Sequence, residues 1–277
     1  MLPEFFQIGN FPVRSFGVMM MIAVLVGAYL AMRRAPRYGL DKDAVIELMS
    51  WLVLPGILGA RLAYIIFNWQ TEFAGHPERL WTLRFEGLTS FGALVLGGLG
   101  AYLWARRRKI AAAQVLDMMA VPMLVGWAIG RVGCLLNGCC FGRVCHDGFC
   151  AHFVDVGYRV PAQWVDIVLL SVAAVLVAWS ERIALSKGQV WRVGTSFTLA
   201  VIAFAISRFG YEFLRAGTAE EYQLGLASGR VIPGLGVTEA QIASLVLALI
   251  GVVWLIVRRG SGGSTEPPAE LPEAPGA

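Results

Sequence analysis

From Ser15 to Met32 the chain reads SFGVMMMIAVLVGAYLAM, and Arg33, Arg34 and Arg37 follow directly. These 18 residues carry no charge. As a helix they reach about 27 Å, close to the ~30 Å hydrocarbon thickness of a bilayer. Lipid offers a peptide backbone no hydrogen-bond partners, so a stretch of this kind crosses as a helix. The basic cluster follows the apolar run instead of preceding it, and no small-residue cleavage site comes after, which is unlike a signal peptide.

Working outward, similar runs recur at about Val45–Phe67, Leu88–Ala105, Val115–Ile129, Val165–Trp179, Val193–Tyr211 and Ile242–Val257. The composition agrees: 57% of the 277 residues are hydrophobic, 15% are charged and the mean hydropathy is +0.64, where an ordinary globular domain is about 25% charged. The reading is an all-α, polytopic membrane helix bundle of about seven spans. It has one integral domain over residues 1–259 and a disordered tail over 260–277, which is rich in Gly, Ser, Pro and Glu and has little to bury. The net charge of +4 sits at span ends and forms no basic face, which argues against nucleic acid.

The loops after the first, third, fifth and seventh spans hold Arg33/Arg34/Arg37, Arg106 to Lys109, Arg182/Lys187/Arg192 and Arg258/Arg259. The positive-inside rule makes these cytoplasmic, so the N-terminus faces out and the C-terminus in. Glycines at 56, 59, 97, 98, 100, 126 and 130 lie within or at the ends of spans, where small residues let helix backbones approach closely.

This orientation puts Arg61, Arg131, Arg208 and Arg215, from three helices, at similar depth on the outward side. An ionisable group at membrane depth costs at least ~2.5 kcal/mol and marks a functional candidate. Guanidinium suits bidentate contact with phosphate, although each arginine alone can be read as a headgroup anchor. Glu212 lies four residues after Arg208 and three before Arg215, so the three share a helix face. It is either the partner that makes two arginines tolerable or a proton-transfer group.

The segment from Gly130 to Gly142, GRVGCLLNGCCFG, is the most unusual. Its glycines suit tight turns directly after a span. Here the chain resembles the prolipoprotein diacylglyceryl transferase family, whose signature is G-R-x-G-N-x-x-N-x-E-x-x-G. Gly130, Arg131, Gly133, Asn137 and Gly142 match it, whereas Cys134 and Cys139 replace its first Asn and its Glu. Phe16-Gly17-Val18-Met19 resembles the family's Y-G-x-M, Gly59 to Tyr64 its G-G-R-x-x-Y, Pro161 to Trp164 its P-S/T-Q-L-Y, and Arg208, Glu212 and Arg215 its R-x-x-x-E-x-x-R. The family's S-x-H-G element reads Thr89-Ser90-Phe91-Gly92, without its His.

The resemblance implies an enzyme of the cytoplasmic (inner) membrane, active at the outward, periplasmic side. It would transfer the diacylglyceryl group of phosphatidylglycerol to the thiol of a lipobox cysteine in secreted prolipoproteins. It implies catalytic roles for Arg131, Arg208, Tyr64 and Glu212, and phosphatidylglycerol binding by Arg131, Arg61, Asn137, Gly142 and Arg215. It calls for no cofactor and no metal. With Phe91 at the His position, the base that takes the thiol proton is open between the arginine field itself and His146 or His152. The alternative is a non-catalytic or specialised relative that binds anionic lipid or lipobox peptides. A membrane thiol-redox protein is the third reading, but it predicts a C-x-x-C pair that this chain lacks.

Cys134, Cys139, Cys140, Cys145 and Cys150 all fall in one outward segment. An oxidising compartment makes disulfides the first expectation, with one thiol left over. Metal binding with His146 and His152 and free thiols are the alternatives. Reporter fusions test the topology: one at Gly260 is expected to read cytoplasmic and one at Asp147 outward, and a cytoplasmic reading at Asp147 would turn Arg131 to the wrong compartment.

Overall fold

Uncharged runs that can satisfy their backbones only internally become helices, and helices dominate the computed structural model. It describes all residues except 1–3, 9–10, 70–72, 74–89, 146–147, 154–155, 189–190, 225, 228 and 261–277. The helices are α1 (Ser15–Arg34), α2 (Lys42–Phe67), α3 (Ser90–Arg107), α4 (Ala112–Asn137), α5 (Ala162–Ser186), α6 (Thr195–Glu212), the short α7 (Ala219–Gln223) and α8 (Glu239–Gly260). A 3-10 turn (Ala35–Tyr38) follows α1, and the described residues also form three two-stranded ribbons: β1 (Glu4–Ile8) with β2 (Phe11–Arg14), β3 (Ala151–Phe153) with β4 (Gly157–Arg159), and β5 (Ala216–Gly217) with β6 (Gly229–Arg230).

Seven described helices have 18 residues or more, matching the seven apolar runs in order. Five of them, α1, α2, α4, α5 and α8, are long and apolar enough to cross a membrane. The other two, α3 and α6, have 18 residues each, and they carry Arg106 and Arg107, and Arg208 and Glu212. Large apolar side chains such as Leu54, Ile66, Val175 and Leu249 point outward, with 63–70% of their surface exposed. In water that surface would be an aggregation hazard; in lipid it meets a matching solvent. The chain is a multi-pass membrane protein. The expected tail over 260–277 lies, from 261 on, outside the described residues.

One boundary corrects the sequence reading. The fourth run was expected to end at Ile129, with the glycines beyond it making turns, but α4 continues through Arg131 and Cys134 to Asn137. Packing uses Gly133 instead: a Cβ there would lie 3.1 Å from Met19 Cβ and 3.2 Å from Phe16 in α1. Gly126 and Gly130 also face α1, at ordinary van der Waals distance from Ala23 and Met20.

The chain packs as two compact units, residues 32–115 and residues 1–31 with 116–277. In the first, α2 and α3 pack backbone to backbone. A Cβ on Gly59 or Gly92 would overlap the other's carbonyl oxygen, and one on Gly100 would overlap that of Trp51. Asp41 caps α2 by accepting from Ala44 N at 2.7 Å, and Glu47 pairs with Arg108.

In the second unit, α4, α5 and α6 bury a core of small residues, Ala120, Ala128, Ala173, Ala174 and Ala200, interleaved with Val121, Leu124, Leu170 and Val177. The first turn of α6 begins at Gly194, which has no side-chain cap. Buried Asp117 of α4 supplies one from outside, accepting from Gly194 N at 2.5 Å and Phe197 N at 2.8 Å. A carboxylate in an apolar run thus satisfies the orphan donors of a neighbouring helix.

Close approach between α2 and α3 makes a testable demand. Gly92→Ala forces the helices apart and is expected to destabilise the protein by about 1–3 kcal/mol. Gly98→Ala, with nothing within 4 Å of its Cβ, is expected to be neutral. Thermal unfolding of both variants in detergent micelles separates the two cases.

Candidate functional site

Arg208, Tyr211 and Glu212 lie at helical spacing in the last turns of α6 and so project together; α6 ends at Glu212, and Arg215, expected on the same helix face, instead sits in the turn that follows. Tyr211 is fully buried. The guanidinium carbons of Arg131, Arg208 and Arg215 lie 5.0, 5.1 and 5.4 Å from its ring centroid. A desolvated cation over an aromatic face gains roughly 2 kcal/mol, but three cations around one ring repel each other and need compensation.

Two buried carboxylates supply it. Asp166 of α5 pairs with Arg131 Nε at 2.6 Å and accepts from Ser207 Oγ at 3.2 Å. Glu212 pairs with Arg208 at 2.9 Å and with Arg215 at 3.7 Å. Only 2% of Asp166 and 3% of Glu212 is exposed. Buried ions cost several kcal/mol each unless paired, so these carboxylates fix where the guanidiniums stand. Three guanidinium charges against two carboxylates leave one positive charge, 3 − 2 = +1. Nε of Arg215 is buried without a hydrogen-bond partner. A cluster with net positive charge and a spare buried donor is suited to an anion.

The loop after α4 closes over the same end of the unit. Gly138, at φ 72°, ends the helix in a Schellman turn: Gly138 N donates to Leu135 O at 3.2 Å and Cys139 N to Cys134 O at 3.0 Å. Cys140 follows at φ 61°. Two fully buried side chains then clamp the backbone: Gln163 Nε2 donates to Cys139 O at 2.6 Å and the Tyr211 hydroxyl to Cys140 O at 3.1 Å. Beyond them Gly142 N donates to Val160 O at 2.8 Å and Arg143 N to Leu214 O at 3.0 Å.

The structure joins Cys145 and Cys150 in a disulfide and leaves Cys134, Cys139 and Cys140 as thiols. The sequence reading allowed one leftover thiol; the structure has three, with Cys134 on the last turn of α4 and Cys139 and Cys140 in the turn that follows it. Hydrogen bonds from Cys134 and Cys139 draw the Cys140 thiol well below its usual range, with burial opposing and the charges of Arg131 and Arg215 assisting.

Of the other residues singled out in the sequence, Asn137 is the last residue of α4. Gly142 is buried between Val160 and Leu214, where a Cβ would lie 2.9 Å from that of Val160. Arg61 and Tyr64 belong to α2 in the unit of residues 32–115. There the Arg61 guanidinium lies 5.9 Å from the Tyr64 and Phe73 rings, which meet edge to face at 6.2 Å. His152 lies exposed on β3, its ring 5.2 Å from that of Tyr158. The side chain of Phe91 and all of His146 lie outside the described residues.

Sequence reasoning missed Tyr211, Asp166, Ser207 and the clamping role of Gln163. Asp166 was findable as a carboxylate inside an apolar run, and Tyr211 as the residue on the shared face between Arg208 and Arg215.

The match to known proteins spans the same elements. The family model described as prolipoprotein diacylglyceryl transferase matches residues 3–257. The phosphatidylglycerol–prolipoprotein diacylglyceryl transferase of Trichormus variabilis is 29% identical over 93% of this chain and 90% of its own length. The proteins of that name from Bacillus cereus and Halalkalibacterium halodurans are 28% and 27% identical, over 92% and 95% of this chain and 92% and 88% of their own lengths. With nearly its whole length matched, and with paired arginines and carboxylates gathered on Tyr211, the chain belongs to the prolipoprotein diacylglyceryl transferase family.

Proposed function

We infer that this protein transfers the diacylglyceryl group of phosphatidylglycerol to the thiol of a lipobox cysteine in secreted prolipoproteins, at the outward side of the cytoplasmic membrane. The observation that carries the reading is the net positive cluster of Arg131, Arg208 and Arg215 on buried Tyr211, fixed by Asp166 and Glu212. In this reaction the acceptor sulfur attacks the glyceryl carbon that bears the phosphate. A C–S bond forms, the C–O bond to phosphate breaks, and glycerol 1-phosphate leaves with an added negative charge. Preorganised cations stabilise that charge more as it develops, which lowers the barrier.

Arg131 and Arg208 take the phosphate in this account, with Arg215 beside them and its spare Nε in reserve. Glu212 orients two of the three arginines, so it acts through them. The family resemblance assigns Arg61 and Tyr64 to the lipid donor as well. An apolar groove of about 460 Å³, lined by Phe149, Trp164, Val165, Val168 and Leu169, gives the acyl chains a place beside α5. The acceptor thiol ordinarily has a pKa near 8.5, and the same cationic field favours its thiolate.

Transfer from labelled phosphatidylglycerol to a lipobox peptide tests this. Arg131→Ala and Arg208→Ala are each expected to lose about 10² to 10³ in rate, equivalent to ~2.7–4 kcal/mol. Arg131→Lys is expected to recover little, since a point charge does not reproduce a fork of donors. Phe91→His is expected to raise the rate near neutral pH by supplying a base. Unchanged transfer by Arg131→Ala at matched abundance overturns the phosphate role. No transfer by the natural chain favours the lipid-binding or peptide-binding relative instead.

A further inference from the structure

We propose that Cys134, Cys139 and Cys140 form a trithiolate site for a single soft, thiophilic metal ion. Their three sulfur atoms lie within 4.8 Å of one another. Three sulfurs bound to one ion at about 2.3 Å stand roughly 3.8–4.0 Å apart in tetrahedral or trigonal geometry. The cluster therefore needs only a small contraction to close on a metal. Thiolates select soft ions over hard ones such as magnesium or calcium.

The local structure converges on that arrangement. Cys134 sits on the last turn of α4, and the Schellman turn at Gly138 brings the chain back beneath it. Cys140 then adopts a left-handed conformation at φ 61°, which costs a residue with a side chain roughly 1–2 kcal/mol and persists only where surrounding contacts enforce it. Those contacts are the hydrogen bonds from Gln163 to Cys139 O and from Tyr211 to Cys140 O. Outer-shell bonds of this kind hold metal ligands in place before the ion arrives.

Cys145 and Cys150 are bound to each other and do not compete. This site stands independently of the transfer reaction, since none of its three ligands is assigned a role there.

Cadmium is the probe, added to the Cys145→Ser/Cys150→Ser protein in detergent without chelator and without oxygen. The expected result is one bound ion with a thiolate-to-cadmium charge-transfer band, weakened at least tenfold in affinity by each of Cys134→Ser, Cys139→Ser and Cys140→Ser. Native mass spectrometry of the unsubstituted protein gives the same readout without depending on a variant's folding: one bound cadmium, absent after alkylation of the three thiols. Three alkylatable thiols with no charge-transfer band overturn the proposal. So does a disulfide between any two of the three in protein alkylated within intact cells, which makes the cluster a redox pair instead.

Discussion

Asp166 and Glu212 are buried carboxylates in a protein whose surroundings are mostly lipid, and the arginines they hold determine how the ends of α4, α5 and α6 meet. Remove either carboxylate and a guanidinium is left buried without its counter-charge, a loss of about 3–5 kcal/mol where one partner of a buried pair is deleted. The rest of that end follows from the same constraint. Tyr211 is fully buried because three guanidiniums cover it. Its hydroxyl, needing a partner, takes the carbonyl of Cys140 and so pins the loop that follows α4.

The same rule operates at the other end of α6. Its first backbone donors have no capping side chain of their own, and Asp117 reaches over from α4 to accept two of them. Between these polar ends the helices are held by close fit. Alanines dominate the contact among α4, α5 and α6, and glycines that between α2 and α3. Small residues matter more in lipid than in water, because apolar side chains gain little by leaving one hydrocarbon for another.

Much of this was legible in the sequence. Hydropathy and length located the seven long helices among the described residues, since lipid leaves the backbone no alternative to helix; the spacing brought Arg208 and Arg215 to Glu212, at 2.9 and 3.7 Å, although α6 ends at Glu212 and Arg215 reaches it from the turn beyond. What failed was the reading of glycine. Gly133 reads as a turn former in sequence, yet it lies inside α4 and faces α1 beside the expected packing glycines Gly126 and Gly130, because the same absent Cβ serves a turn or a close contact equally well. Only Gly138 makes the turn. Asp117 and Asp166 were not singled out because their partners, Gly194, Phe197 and Arg131, are distant in sequence and meet them only through tertiary packing. The cysteine segment was legible in part: Cys145 and Cys150 form the disulfide that compartment chemistry argues for, while the turn after α4 sets Cys134, Cys139 and Cys140 together as thiols.

Whether the arginines of the Tyr211 cluster bind the phosphate of an intact lipid donor is read most directly by a binding measurement, which does not depend on turnover. Short-chain phosphatidylglycerol titrated calorimetrically into the purified protein in micelles, alongside Arg208→Gln, isolates the interaction. Loss of one hydrogen bond to a charged group, about 1.5–3 kcal/mol, predicts roughly ten- to a hundred-fold weaker binding by Arg208→Gln, with diacylglycerol, which has no phosphate, bound alike by both proteins. Equal affinity of the two folded proteins for phosphatidylglycerol would contradict it.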